Sequence, residues 1–309
     1  MIKFSKKLVF FLMPILIAGL VIEILLRNIP NDYIKKANRL AEYSKDIETL
    51  IIGNSHCLYG INPDYLDSNG YNLSNVSQSL DIDYEILKKH GSDLINLKTV
   101  VLNLSYFSLF EQLKKTNEHW RLKDYNIYFG LQLDFKPIHQ SELLSVAFKT
   151  NLKRIYEYYI QDKNMINTSN LGWGTNAKSS NNMKDLHSIG IAVAKKHTIN
   201  GQELYEENVD YLKRIITYCH NRNIKVLLVT TPVYKSYFSN LDKKQLNTTI
   251  AVGEQMESNY INCYYYNLLN SFKFTDDDFF DSDHLNEKGA EKLTFFLNEE
   301  ILTLDENFR

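Results

Sequence analysis

The sequence predicts an α/β fold: a mostly parallel sheet between two layers of helices, carried behind an N-terminal transmembrane helix. Three observations predict it. Short apolar runs without polar alternation recur along the chain, as expected of strands buried on both faces. Amphipathic helical patterns separate those runs, the rhythm of βαβ units. A long apolar stretch then stands at the beginning, ahead of everything else.

That first stretch, Leu8 to Leu26, reads LVFFLMPILIAGLVIEILL. At about 1.5 Å per residue it spans roughly 28 Å, close to the hydrocarbon thickness of a bilayer. Glu23 interrupts it near the far end, within reach of the interface, and Lys3, Lys6 and Lys7 precede it. Basic residues before a span hold the N-terminus in the cytoplasm. A cleavable signal peptide competes with a retained anchor, but no A-x-A-like site follows the run, which favours the anchor. Either way the remaining chain is exported. The expected division is a cytoplasmic tip and anchor over 1–27, a polar juxtamembrane helix or linker over 28–46, and one large domain over 47–309.

Within that domain ETLIIG (Glu48–Gly53) reads as a buried strand and GYNLS (Gly70–Ser74) as a second. Leu80 to Ile95 has helical spacing, with Ile82, Ile86 and Leu87 on one face. KTVVLNL (Lys98–Leu104) is the third strand. Much later, Val209, Leu212, Ile216 and Cys219 share a helix face. IKVLLVTTP (Ile224–Pro232) is the strongest strand pattern, ended by proline. CYYYNLL (Cys263–Leu269) is a fifth strand, and a last helix runs from about Glu287 to Ile301. Residues from about 110 to 200 break this rhythm and are rich in Tyr, Lys, Asn and Ser, with LGWGTNAKSSNN (Leu171–Asn182) a loop. They read as an insertion over the carboxyl ends of the strands, where open α/β sheets bind ligands.

A formal net charge of −2, with no Lys/Arg stripe interleaved with aromatics, argues against a nucleic-acid partner. The three cysteines, Cys57, Cys219 and Cys263, form no C-x-x-C pair, so neither a zinc site nor a disulfide scaffold is expected.

The chemistry concentrates in two segments. In IIGNSHCLYGINP (Ile51–Pro63), Ser55 follows a strand and begins a helix, a place that exposes a hydroxyl among backbone N–H groups and favours developing negative charge. In FFDSDHLNEKGAEKL (Phe279–Leu293), Asp281 and His284 are three apart, close enough for one turn to join them. A serine nucleophile needs a base, and a histidine base needs a carboxylate to fix its tautomer. A capping serine and an acidic surface loop are the plainer alternatives.

Together these segments resemble the SGNH, or GDSL-type, serine hydrolases over roughly Glu48 to Ile301, the insertion unmatched. The resemblance implies a flavodoxin-like three-layer α/β/α fold, with Ser55 as nucleophile, His284 as base and Asp281 as its orienter. Asp283 is a neighbour without a catalytic role in that pattern. The G-x-S-x-G elbow is absent, Cys57 standing at its second glycine. The first block reads Gly53-Asn54-Ser55 rather than Gly-Asp-Ser. Ser55, Ser77 and Ser105 align with the oxyanion-hole positions, but Phe107 replaces the third block's asparagine, so one donor is missing or replaced. Losing such a donor costs on the order of 3 kcal/mol of transition-state stabilisation.

Smaller signals surround this pattern. His56, Trp173 and His197 are candidates to face substrate, against packing roles for each. Cys57 at a helix start is a rival nucleophile without a partner of its own. TDDDFFDSD invites a calcium loop, but the required glycine is replaced by Asn286. No metal and no cofactor is expected. The anchor makes the chain similar to membrane-bound members of the family that handle acyl groups on envelope glycans. The resemblance therefore implies an extracytoplasmic esterase or O-acyltransferase, with acetyl the expected group, an envelope glycan or acyl ester as substrate and a membrane-bound O-acyltransferase as a partner. A non-catalytic glycan-binding or accessory role is the alternative.

Overall fold

A computed structural model describes residues 2–181, 185–199 and 201–306, with side chains at Lys7 and from Phe10 onward. Asn182, Asn200 and the side chains of Lys3 and Lys6 lie outside the described residues. The elements in order are α1 (Ile2–Arg27), α2 (Asp32–Tyr43), β1 (Thr49–Ile52), α3 (Ser55–Gly60), β2 (Gly70–Asn72), α4 (Leu80–His90), β3 (Thr99–Asn103), α5 (Leu122–Ile127), α6 (Glu142–Ser145) and α7 (Phe148–Tyr159). There follow α8 (Leu186–His197), α9 (Tyr205–His220), β4 (Lys225–Thr230), α10 (Lys235–Phe238), α11 (Lys243–Asn259), β5 (Cys263–Asn267) and α12 (Glu287–Glu306).

The chain forms two compact units. One comprises the residues up to Asn38 together with Asn117–Ile166; the other comprises Arg39–Thr116 and the residues from Asn167 on. The second unit holds the whole sheet. Its five strands are all parallel, in the order β2-β1-β3-β4-β5, which is the flavodoxin-like order. Ile51, Val101, Leu227 and Val229 face one layer, packed with Cys57 and Ile61 beside α3 and with Leu293, Leu297 and Ile301 of α12. Their alternates Leu50, Ile52, Val100, Leu102, Val226 and Leu228 are also fully buried and face the other layer. There α4 and α9 pack together through faces that include Ile82, Ile86, Leu212 and Ile216. Strands buried on both faces are why the sequence shows apolar runs rather than alternation.

The helix expected over Leu80–Ile95 stops at His90 and tightens into a single 3-10 turn, Gly91–Asp93, where a Cβ on Gly91 would collide with the Tyr218 hydroxyl. The last helix continues past Ile301 to Glu306. In the first unit, α1 carries an 18-residue stretch, Phe10–Arg27, long and apolar enough to cross a membrane or to serve as a signal sequence. Glu23 is not idle in that stretch. Its carboxylate accepts the backbone N–H groups of Glu142 and Leu143 at 3.1 and 2.8 Å and the Ser141 hydroxyl at 2.8 Å, and it pairs with Arg27 at 2.6 Å. It thus caps the start of α6.

Candidate active site

β1 delivers the chain to Gly53, whose φ of 134° is open to glycine and whose Cβ, if present, would stand 2.5 Å from Asn103 Cβ on β3. The turn needs that glycine for both reasons. Asn54 then caps α3: its Oδ1 accepts the His56 N–H at 3.0 Å, and its Nδ2 donates to Ser105 Oγ at 3.0 Å. Ser55 is the first residue of the helix, at the carboxyl end of β1. β2 lies on one side of β1 and β3 on the other, so Ser55 sits where the strand order reverses, the switch point at which such sheets bind ligands.

The segment before α12 closes on it. His284 Nε2 lies 2.8 Å from Ser55 Oγ. On the other side of the ring, His284 Nδ1 lies 2.9 and 3.0 Å from the two oxygens of Asp281. Asp281 Oδ1 also accepts the backbone N–H groups of Asp283 and His284, at 3.1 and 2.8 Å. That tight turn fixes carboxylate and imidazole together. The structure therefore brings Ser55, His284 and Asp281 into one hydrogen-bonded line, with the geometry a serine–histidine–aspartate triad requires.

A second line runs behind the first. Asp283 is buried, with Oδ1 3.7 Å from His284 Nδ1 and Oδ2 3.4 Å from His56 Nε2. His56 Nδ1 faces the hydroxyls of Ser105 and Thr231 at 3.0 and 3.3 Å. Successive helical residues point about 100° apart, so when Ser55 faces the opening His56 turns inward. His56 is buried and does not line the pocket. Burial lowers its pKa, partly offset by Asp283. Burial would raise Asp283, but the charge on His284 and the nearby His56 ring outweigh it and hold that carboxyl well below the usual range. His284 itself is pulled down by burial and up by the charges of Asp283 and Asp281; the carboxylates win and raise it to about 9. Sequence reasoning gave Asp283 no part in this, since the family pattern has one carboxylate three residues before the histidine.

The cavity at Ser55 holds about 190 Å³ and is lined by Ser55, Tyr59, Val76, Asn176, Ala177, Phe280, Asp281 and His284. Tyr59 meets the His284 ring edge-on at 5.3 Å. It stands four residues after Ser55, the spacing that places two side chains on one helix face, so it was legible in principle. Asn176 comes from the long irregular stretch and carried no signal in the sequence.

The other expected residues are distributed differently. Ser77 has a left-handed backbone at φ 59° and is not among the residues lining the cavity, though its neighbour Val76 is. Ser105 is 1% exposed and its N–H donates to Ser108 Oγ at 2.9 Å, so that N–H is not free for an oxyanion. Its hydroxyl instead links Asn54, Asn103 and His56. Phe107 packs against His197 at 4.4 Å, and His197 Nδ1 meets the Tyr237 hydroxyl at 2.9 Å. Burial lowers the His197 pKa to about 4. Trp173 braces the site rather than lining it: its indole N–H donates to the Tyr59 carbonyl at 2.8 Å. Beside it, Gly172 at φ 84° approaches the Asn72 carbonyl too closely for any side chain.

Cys57 is fully buried and burial pushes its thiol far up, which removes the thiolate a nucleophile needs. Cys219 and Cys263 are free and buried as well. In the acidic run, Asp278 caps its own turn with Thr275 and pairs with Lys292 at 2.7 Å, and Asp276 pairs with Lys235 at 3.0 Å. Among the described residues one group approaches a metal-binding cluster: His56, Asp283 and His284, with ligand atoms within 4.8 Å of one another. His284 already faces Ser55 with Nε2 and Asp281 with Nδ1, and ligand distances near 2 Å would break that line.

No protein-family model matches the chain, and no curated protein matches it significantly. The solved structures to which the chain is similar include these three. A candidate platelet activating factor from Streptococcus pneumonia shares 10% identity at a TM-score of 0.42, covering 86% of this chain and 92% of its own. A candidate acylhydrolase from Bacteroides fragilis shares 10% at 0.40, covering 87% and 98%. A GDSL-like lipase from Bacteroides thetaiotaomicron shares 11% at 0.42, covering 87% and 99%.

Proposed function

We propose that the protein is a membrane-anchored, extracytoplasmic serine esterase or O-acyltransferase of SGNH type that acts on acyl groups of cell-envelope glycans. The single observation that carries this reading is the line Ser55 Oγ–His284 Nε2 at 2.8 Å and His284 Nδ1–Asp281 at 2.9 Å. Ser55 Oγ attacks the acyl carbonyl while its proton passes to His284 Nε2. The carbonyl π pair moves onto oxygen, then returns as the bond to the leaving alkoxide breaks, and His284 gives its proton to that alkoxide, which departs as the alcohol. Water or a sugar hydroxyl then attacks the Ser55 ester by the same steps in reverse order.

In the neutral ring, the form that gains above a pKa of about 9, Asp281 accepts the hydrogen bond from Nδ1–H and leaves Nε2 free to accept. The Ser55 N–H at the start of α3 and the Asn176 amide are the candidate donors to the oxyanion, Asn176 replacing the asparagine that Phe107 displaces. A cavity of about 190 Å³ suits a small acyl group such as acetyl. It is smaller than the roughly 300–1,000 Å³ of sites that engulf a drug-sized ligand. The apolar α1 supports anchoring. The occupied Ser105 N–H favours a second reading, an accessory glycan-binding protein.

The test is to incubate the protein with an activated acetyl ester and map acetylated residues by mass spectrometry, then add water alone or oligosaccharide. An acetyl group on Ser55 that moves to the oligosaccharide identifies a transferase, and one released only to water identifies an esterase. Absence of acetyl on Ser55 in folded protein selects the accessory reading.

A further inference from the structure

α7 carries an exposed apolar arc. On a helical projection at about 100° per residue, Phe148, Leu152, Ile155, Tyr156 and Tyr159 share an arc of roughly 100°. Phe148 is 55% exposed, Leu152 46%, Tyr156 53% and Tyr159 42%. About 90° round from the centre of that arc the helix turns a polar side chain inward. Asn151 is fully buried and donates to the carbonyls of Glu142, Leu143 and Val146, at 3.3, 3.1 and 3.3 Å. Arg154 reaches Glu142 at 2.8 Å, joining a buried set in which Lys123 also meets Glu142, at 3.0 Å. A helix in water buries its apolar side. This one leaves its apolar arc outward and seats Asn151 and Arg154 against its own unit.

We infer that the outward face of α7 is seated in the interfacial layer of the membrane that α1 enters. This rests on the reading of α1 as a retained anchor. Within their unit α1 packs against both α6 and α7. The Tyr159 hydroxyl donates to the Leu25 carbonyl at 3.0 Å, and a Cβ on Gly19 would lie 3.7 Å from Leu143 Cδ2. Gly19 is about 12 Å along the helix from Arg27, so α6 runs beside the last turns of the apolar span. Leu20 and Ile24 of α1 are exposed at that level. The apolar arc of α7 is therefore continuous with a membrane segment, which is what selects lipid as the occupant. Its flank agrees: Lys149 and Lys153 are exposed beside the arc, placed to extend toward headgroups, and tyrosines occupy it, as they do at bilayer interfaces.

The experiment places a spin label at Phe148→Cys, Leu152→Cys or Tyr156→Cys, one at a time, in the full chain in phosphatidylcholine nanodiscs. The native cysteines are buried and escape labelling. Ile17→Cys on α1 marks the bilayer interior, and Thr150→Cys on the polar side of α7 marks water. Each label is scored by collision with oxygen against collision with a water-soluble nickel chelate. The inference expects the three arc labels to favour oxygen and to fall between the two markers. Arc labels matching Thr150→Cys, with Ile17→Cys still lipid-like, overturn it and leave the anchor standing. Labels shielded from both agents overturn it too, because protein then covers the face. If Ile17→Cys is also water-like, the anchor reading fails with it.

Discussion

Asp283→Asn separates the second carboxylate from the first. Asp283 Oδ1 is 3.7 Å from His284 Nδ1. A unit charge there favours the imidazolium by about 1 kcal/mol at the dielectric of water and about 4.5 kcal/mol at an effective value near 20. Removing it lowers the His284 pKa from about 9 by between about 0.8 and 3 pH units. The groups that remain around the ring are Asp281, His56, and Lys196 and His197 on α8. Because the same charge stabilises the imidazolium in the resting enzyme and in the transition state, the gain of active base and the loss of stabilisation oppose each other at low pH. The midpoint of the profile is therefore the readout. The second-order rate of inactivation by a fluorophosphonate, measured from about pH 5.5 to about pH 10, rises through the His284 pKa. The variant should reach its plateau earlier and lower. A midpoint within about 0.3 units of the wild type would refute the assignment of Asp283 as the group that raises His284.

Other expectations follow from the same contacts. Asn176→Ala should lower kcat by about 10²-fold with little change in KM if its amide serves the oxyanion, measured on a small acetyl ester. Trp173→Ala removes the brace to the Tyr59 carbonyl and should cost about 1–3 kcal/mol in urea unfolding. His284 has a folded pKa raised from 6.5 to about 9, so its contribution to stability is complete below about pH 6.5 and is lost as pH rises through 9; thermal melts across that range should show the decline, and Asp283→Asn should flatten it. Burial raises the Asp83 carboxyl to about 7, although Gln78 donates to it at 2.6 Å. Its stabilisation is present in acid and is lost as pH rises through 7, so Asp83→Asn should raise Tm at pH 8 relative to wild type.

The sheet was legible because strands buried on both faces must be written in Leu, Ile and Val, and β1, β3 and β4 are. The Ser55 and Asp281–His284 segments were legible because one turn and one helix start dictate their spacing. α11 was not. Its buried side is Gln245, Thr249, Val252, Gly253 and Met256, too polar to mark an apolar stripe. Gly253 is set by packing, since a Cβ there would lie 2.5 Å from the Tyr265 ring, a contact distant in sequence. α7 escaped because its apolar arc faces outward while its inward side carries Asn151 and Arg154, so no apolar stripe marks the packed face. Asp283 and His56 escaped for a third reason. Their meaning lies in a contact across 227 positions of chain (283 − 56), between residues that separately look like loop acid and packed histidine.

The central claim is that Ser55 is an activated nucleophile. The most direct measurement is labelling of the full chain, in detergent, with a fluorophosphonate probe beside its Ser55→Ala and His284→Ala variants. Wild type labelled at Ser55, with both variants silent and their unfolding free energies within about 1 kcal/mol of wild type, is the predicted result. Unlabelled wild type with native unfolding behaviour, or equal labelling of the Ser55→Ala variant, would contradict it.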